Sequence, residues 1–253
     1  MEPGPARREP TPAGGLMEPT EHNRRAWDEI HRRRAEAMAG ELGLPVPVRR
    51  SFANLTGKRV LHLQCATGES TAELAELGAV VTGVDISEEA LEVARERNPS
   101  IVWVQGDVQT LPPELRRGRF DLVYTATGIL VWLHDLNAWA AGIVAALRPG
   151  GDFLLYEEHP VAMCVDSMMH WRENYFDESI LVDTGWTHFQ LEGEAPVEEK
   201  HERFWRLGQV VTAIARAGLT VRALEEYPAR KSEFRHLDAR VPGDFLLHAV
   251  KPA

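Results

Sequence analysis

From residue 58 onward the chain alternates short apolar runs with helical patterns, and few folds accept that order. KRVLHL leads into a helical stretch ending near Gly78, and AVVTGVDI leads into SEEALEVARERN. IVWVQGD and RFDLVYTAT follow, then DLNAWAAGIVAAL and RPGGDFLLYEE. The strand-like runs are continuously apolar rather than alternating, so each expects cover on both faces. Strand, helix, strand, helix with buried strands predicts an α/β fold, a doubly wound and mostly parallel sheet. LTVRALEEY and GDFLLHAVKP supply two more runs that close as a hairpin, which brings the sheet to seven strands. Ligands of such sheets bind outside the carboxyl ends of the strands.

Local signals support the helices. Ser87 stands at an N-cap position with Glu88 and Glu89 in the first turn, where the helix dipole favours acids. Leu136, Trp139, Ala140, Ile143 and Leu147 make one apolar stripe. Phe204, Leu207, Val211 and Ile214 repeat it over a 203–217 helix, and Gly218 suits the C-terminal cap. Residues 20–40 read as an earlier, highly charged helix anchored by Trp27 and Ile30, broken by GLPVP at 43–47.

The domain reading is a disordered lead over 1–19, rich in Pro, Gly and charge, and then a single domain over 20–253. Within it, 20–57 form a helical lid. Residues 159–200 interrupt the alternation with Trp171, Tyr175, Phe176, Trp186 and Phe189 among many acids. A connection of that length suggests a substrate cap. The lead has no hydrophobic centre and no apolar run is long enough to span a membrane. Two cysteines without a CxxC exclude a disulfide framework and suit the cytoplasm. A net charge of −10 argues against a nucleic-acid partner, Arg32-Arg33-Arg34 notwithstanding.

Four features fall at successive strand ends: QCATGES, Asp85, Gly106-Asp107-Val108 and TATGIL. An acid ending the second strand can accept both ribose hydroxyls, and Asp85 follows Gly68 at near the spacing that role asks. An acid after the third strand can take an adenine amino group while the next backbone N–H meets a ring nitrogen, which Asp107 and Val108 fit. The loop after the first strand has a single glycine, Gly68, with Gln64 and Ala66 where a pyrophosphate would want glycines. An amino-acid tail is less demanding, and the Gln64 amide can both donate and accept. The loop therefore fits S-adenosylmethionine better than NAD.

From about residue 22 to the end the chain resembles the class I S-adenosylmethionine-dependent methyltransferases. HLQCATGESTAELAELGAVVTGVDIS looks like a bacterial branch with a His-Leu-Gln-Cys first motif, and GILVWLHDLNAWAAGIVAALRPGG, EEHPV and WRLGQVVTAIARAGL are similar to its later segments. The resemblance implies that Gln64, Ala66 and Gly68 line the cofactor's methionine part and that Asp85 holds its ribose. It further implies Ile86 on the adenine, Asp107 and Val108 at the adenine edge, and Thr125 near the sulfonium. NRRAW at 23–27 is similar to the branch's lid helix, with Arg25 or Trp27 over the cofactor. The chain departs from the wider family at His62, where most members have an acid, and at Ala66, where a second glycine is usual.

The implied activity is methyl transfer to a small-molecule acceptor, such as a natural product under tailoring, by a monomer or homodimer. His159, directly after the fifth strand, is the candidate base, with Tyr156, Glu158, His134 and Tyr175 behind it. Trp171 and Tyr175 are the candidate acceptor-pocket residues. Glu157, His159 and His170 match no zinc motif, so no metal is expected. Three alternatives stay open: a dehydrogenase on the same fold, a different group transfer using the adenosine pocket, and a non-catalytic partner subunit.

Overall fold

The computed structural model describes residues 17–34, 43–52, 54–166, 168–186, 194–229 and 239–253. Most of the lead, the end of the charged helix and Phe189 lie outside them. In chain order the elements are α1 (Pro19–Arg34), α2 (Val46–Ser51), β1 (Arg59–Leu63), α3 (Glu69–Glu76), β2 (Val80–Asp85) and α4 (Glu88–Arg97). Then come β3 (Val102–Gln105), β4 (Phe120–Ala126), α5 (Leu136–Ala146), β5 (Leu147–Glu158) and α6 (Pro160–Met163). The chain continues through β6 (Ile180–Asp183), β7 (Lys200–Arg203), α7 (Leu207–Arg216), β8 (Thr220–Pro228) and β9 (Pro242–Val250).

Seven strands form one sheet in the order β3-β2-β1-β4-β5-β9-β8. β1 to β5 run parallel, and β9 pairs antiparallel with both β5 and β8. The expected hairpin is therefore present, inserted so that β9 lies between β5 and β8. The order reverses between β1 and β4, which opens a crevice at their carboxyl ends. On one face Trp139, Ile143, Phe153, Ile214 and Phe245 pack into the larger core. On the other, α2 and α3 contribute Val48 and Leu74 against Val60, Tyr124 and Leu246.

The capping signals hold in three dimensions. Ser87 Oγ accepts from Ala90 N, Asp135 accepts from Asn137 N and Ala138 N at the start of α5, and Gly218 takes φ +100 after α7. α7 starts at Leu207, later than its apolar stripe suggests, and Phe204 precedes it. β6 and β7, within and just after the 159–200 segment, pair as a separate antiparallel two-stranded sheet that the sequence did not announce. Among the described residues no helix is long and apolar enough to cross a membrane.

Candidate active site

A cavity of about 1030 Å³ opens at the crevice. The strand-end loops form its floor, while α1 and the β6–β7 sheet form its roof. Of the sequence-predicted residues, Gln64, Ala66, Asp85, Ile86, Asp107, Val108 and Trp27 line it.

The loop after β1 is shaped by backbone, not by glycine. Gln64 and Ala66 both take left-handed conformations, with φ 53 and 47, a cost that surrounding bonds must hold in place. Ala66 N donates to Asp85 Oδ2 at 2.8 Å, and Ser87 N to Oδ1 at 2.9 Å. Asp85 lines the cavity, so the carboxylate these bonds orient can accept from a ligand. Burial pushes the Asp85 carboxyl up, against the backbone N–H groups that hold it down. Beside it, after β3, Asp107 Oδ1 accepts from Gln109 N at 2.8 Å, which fixes the one-turn helix Val108–Thr110.

Two predicted contacts, Gly68 and Thr125, fall elsewhere, and a third is tied to a neighbouring loop. Gly68 does not line the cavity: it takes φ +86, and a Cβ there would stand 2.4 Å from the Trp103 ring. Its glycine serves the start of α3 and the Trp103 contact. Thr125 is fully buried and donates to Leu63 O at 3.1 Å, while Thr127 and Gly128 reach the cavity instead. Gln64 faces the cavity, but its amide nitrogen donates to Ile129 O at 3.0 Å, tying the β1 loop to the β4 loop. His62, the departure from the family pattern, is buried under α3 with Nδ1 2.7 Å from Thr71 Oγ1. Burial pushes its pKa down to about 3, so it stays neutral and reaches no ligand.

α1 is docked on both sides. Ser87 Oγ donates to Asp28 at 2.7 Å and Arg32 pairs with Glu89, joining α1 to α4. Asn23 grips the His201 backbone in β7, accepting from its N at 2.7 Å and donating to its O at 2.8 Å. Glu29 accepts from Val197 N and Glu198 N at 3.1 and 3.0 Å. Helix and hairpin are thereby one roof. Beneath it Trp27 packs edge-on against Trp132 and Trp186, at 5.1 and 4.8 Å between ring centroids. Trp132 and Trp186 stack at 5.7 Å. Lys200 is buried beside them, neutralised by Asp183 and Glu202. Arg25 turns outward to Glu21 and covers nothing.

The candidate base and acceptor-pocket residues are not in the cavity. His159 is buried at the start of α6, with Nδ1 accepting from Val161 N at 3.1 Å and Nε2 2.9 Å from Glu226 Oε1. Both nitrogens are turned into the fold, and burial lowers its pKa against the pull of Glu226. Pro160, which follows it, lines the cavity in its place. Trp171 is exposed on an isolated bridge with Val165, and Tyr175 packs on Phe176 and Phe204 away from the crevice.

The residue that sequence reasoning undervalued is Glu157. It stands one residue before the end of β5, almost wholly buried, and accepts from Gly128, Ile129, Leu130 and Glu158 N at 2.6–3.2 Å. Burial pushes its carboxyl up to about 7 despite those donors. It shapes the β4 loop, in which Thr127 and Gly128 take φ 57 and 75. A buried acid at a strand end, followed by a second acid, was the available signal.

The strand order and the acid-tipped strand ends define a class I methyltransferase fold. Residues 60–151 match the family model described as a methyltransferase domain. An uncharacterised methyltransferase of Synechocystis is 39% identical over 108 residues, 41% of this chain and 48% of that protein. The matches thus span less than half the length of the curated relatives. An S-adenosylmethionine-dependent methyltransferase of Mesorhizobium loti superposes with a TM-score of 0.61 at 24% identity, covering 80% of this chain and 95% of that one. A glycopeptide N-methyltransferase crystallised with S-adenosylmethionine gives 0.56 at 22%, covering 81% and 90%. At these identities the structural matches speak for the fold.

Proposed function

We propose that this protein is a methyltransferase that uses S-adenosylmethionine to methylate a small molecule in the enclosed cavity. The observation that carries the reading is the wiring of Asp85. Backbone N–H groups of Ala66 and Ser87 fix its two oxygens at the cavity wall, as the paired acceptors a ribose diol needs. The Ala66 N–H that a pyrophosphate would need is already given to Asp85, which disfavours a dinucleotide. Asp107 and Val108 line the neighbouring stretch of wall for a purine edge. The residues fit the cofactor.

When bound, the cofactor supplies a methyl group already activated by its sulfonium. The chain's part is to align the acceptor and exclude water, which provides rate by proximity. Glu157 fixes the β4 loop between cofactor wall and roof, and the tryptophan cluster closes the far side. His159 is turned away, while His31 and Glu158 line the cavity. The acceptor's class, a natural product under tailoring, draws support from the glycopeptide enzyme among the structural neighbours. The reading includes a cytoplasmic protein that works as a monomer or homodimer.

The test is incubation with methyl-labelled S-adenosylmethionine and a panel of small-molecule amines, phenols, thiols and carboxylic acids. Label in a panel member supports the reading. Cofactor binding without transfer to any extract or metabolite would move the protein to the group-transfer or partner-subunit alternatives.

A further inference from the structure

One cluster at the edge of the roof takes no part in the proposed methyl transfer. His22 of α1, with Glu199 and His201 at the beginning of β7, brings one ligating atom each to within 4.8 Å of the others. Two imidazoles and a carboxylate are the donor set of zinc sites that keep one coordination position open. A second observation points the same way. His201 Nε2 is buried and makes no hydrogen bond, although Glu199 Oε2 lies 3.8 Å from it. A buried ring nitrogen without a partner is costly unless something occupies the gap.

The scaffold around the cluster is fixed. Asn23, next to His22, holds both backbone groups of His201. The His22 and His201 rings stack with centroids 4.3 Å apart and planes 15° apart. Joint coordination asks that the half-buried His22 ring leave this stack and turn toward Glu199. We propose that His22, Glu199 and His201 bind a divalent metal of the zinc class and so staple the lid helix to the hairpin strand. Glu199 also lines the cavity, so the ion sits at its rim. The inference does not depend on the methyl-transfer reading.

Tag-free protein, stripped with chelator and dialysed, is titrated with zinc chloride by calorimetry and with cobalt(II) by visible absorption. Thermal melts with and without zinc accompany both, because an ion that binds only the folded state raises its stability. The expected result is one ion per chain, a cobalt spectrum and a zinc-dependent rise in Tm. His22→Ala, His201→Ala and Glu199→Gln should each weaken binding at least tenfold, while His170→Ala, at an exposed position outside the cluster, should not. If His201→Ala melts early without metal, His22→Ala on the helix surface carries the test. No zinc binding to the wild-type chain, or unchanged affinity in His22→Ala, overturns the site.

Discussion

The floor and the roof of the cavity are made in different ways. On the floor, Ala66, Asp85, Asp107 and Thr127 sit at the ends of four adjacent strands, and backbone N–H groups set their positions. On the roof, Trp27, Trp132 and Trp186 come from a helix, a loop and a hairpin that meet only in the folded chain. The floor is fixed by topology, since a parallel sheet brings its strand ends together whatever the side chains. The roof exists only through tertiary packing and the hydrogen bonds that dock α1 on its neighbours. Substitutions on the floor should act on the cofactor, and those on the roof on the acceptor.

Asp85→Asn should give the largest change. It places an amide nitrogen against Ala66 N or Ser87 N and removes a charge-assisted acceptor, with a loss of about 1.5–3 kcal/mol in S-adenosylhomocysteine binding. Calorimetry, with circular dichroism as the control for folding, checks it. Undiminished affinity would mean the floor is not where the ribose binds.

Glu157→Gln should come next. One oxygen that accepts two backbone N–H groups becomes a donor, leaving them unsatisfied in a buried site at a cost of about 2 kcal/mol or more in stability. Urea unfolding measures this. Equal stability would show that the β4 loop keeps its shape by other contacts.

Trp186→Ala sharpens the contrast on the roof. Losing its aromatic partners should cost about 1.4 kcal/mol, or tenfold in kcat/KM for the acceptor, with cofactor affinity nearly unchanged. Trp171→Ala, at an exposed position in the same segment, should leave both constants alone. A reversed pattern would restore Trp171 to the acceptor pocket and remove the tryptophan cluster from it.

The smallest effect belongs to His159→Gln. With both ring nitrogens facing Val161 N and Glu226, the substitution should leave kcat within about twofold and keep the acidic limb of the pH–rate profile, against the roughly 10²-fold that loss of a general base brings. A large loss of kcat with that limb abolished would return His159 to the chemistry.

The sequence told floor and roof apart for the same physical reason. Continuous apolar runs ending in acids placed Asp85 and Asp107 at strand ends without any knowledge of packing. His159 carried the same positional signal, but sequence position says nothing of ring direction, and Pro160 and the β8 edge turned it inward. Gly68 read as a ligand glycine, although its reason is the Trp103 ring, a contact visible only in three dimensions. Of the aromatics in the long insertion, Trp186 lines the cavity and Trp171 and Tyr175 do not. Which of them reaches the cavity depends on the β6–β7 pairing and on the grip of Asn23 and Glu29 on the hairpin, and no local pattern encodes that.

The central claim is that the floor is built for an adenosine with an amino-acid tail and not for a dinucleotide. Parallel calorimetric titrations of the wild-type chain with S-adenosylhomocysteine and with NAD test it most directly. The account predicts saturable binding of S-adenosylhomocysteine at one site per chain and no measurable heat from NAD. Binding of NAD with no response to S-adenosylhomocysteine would contradict it.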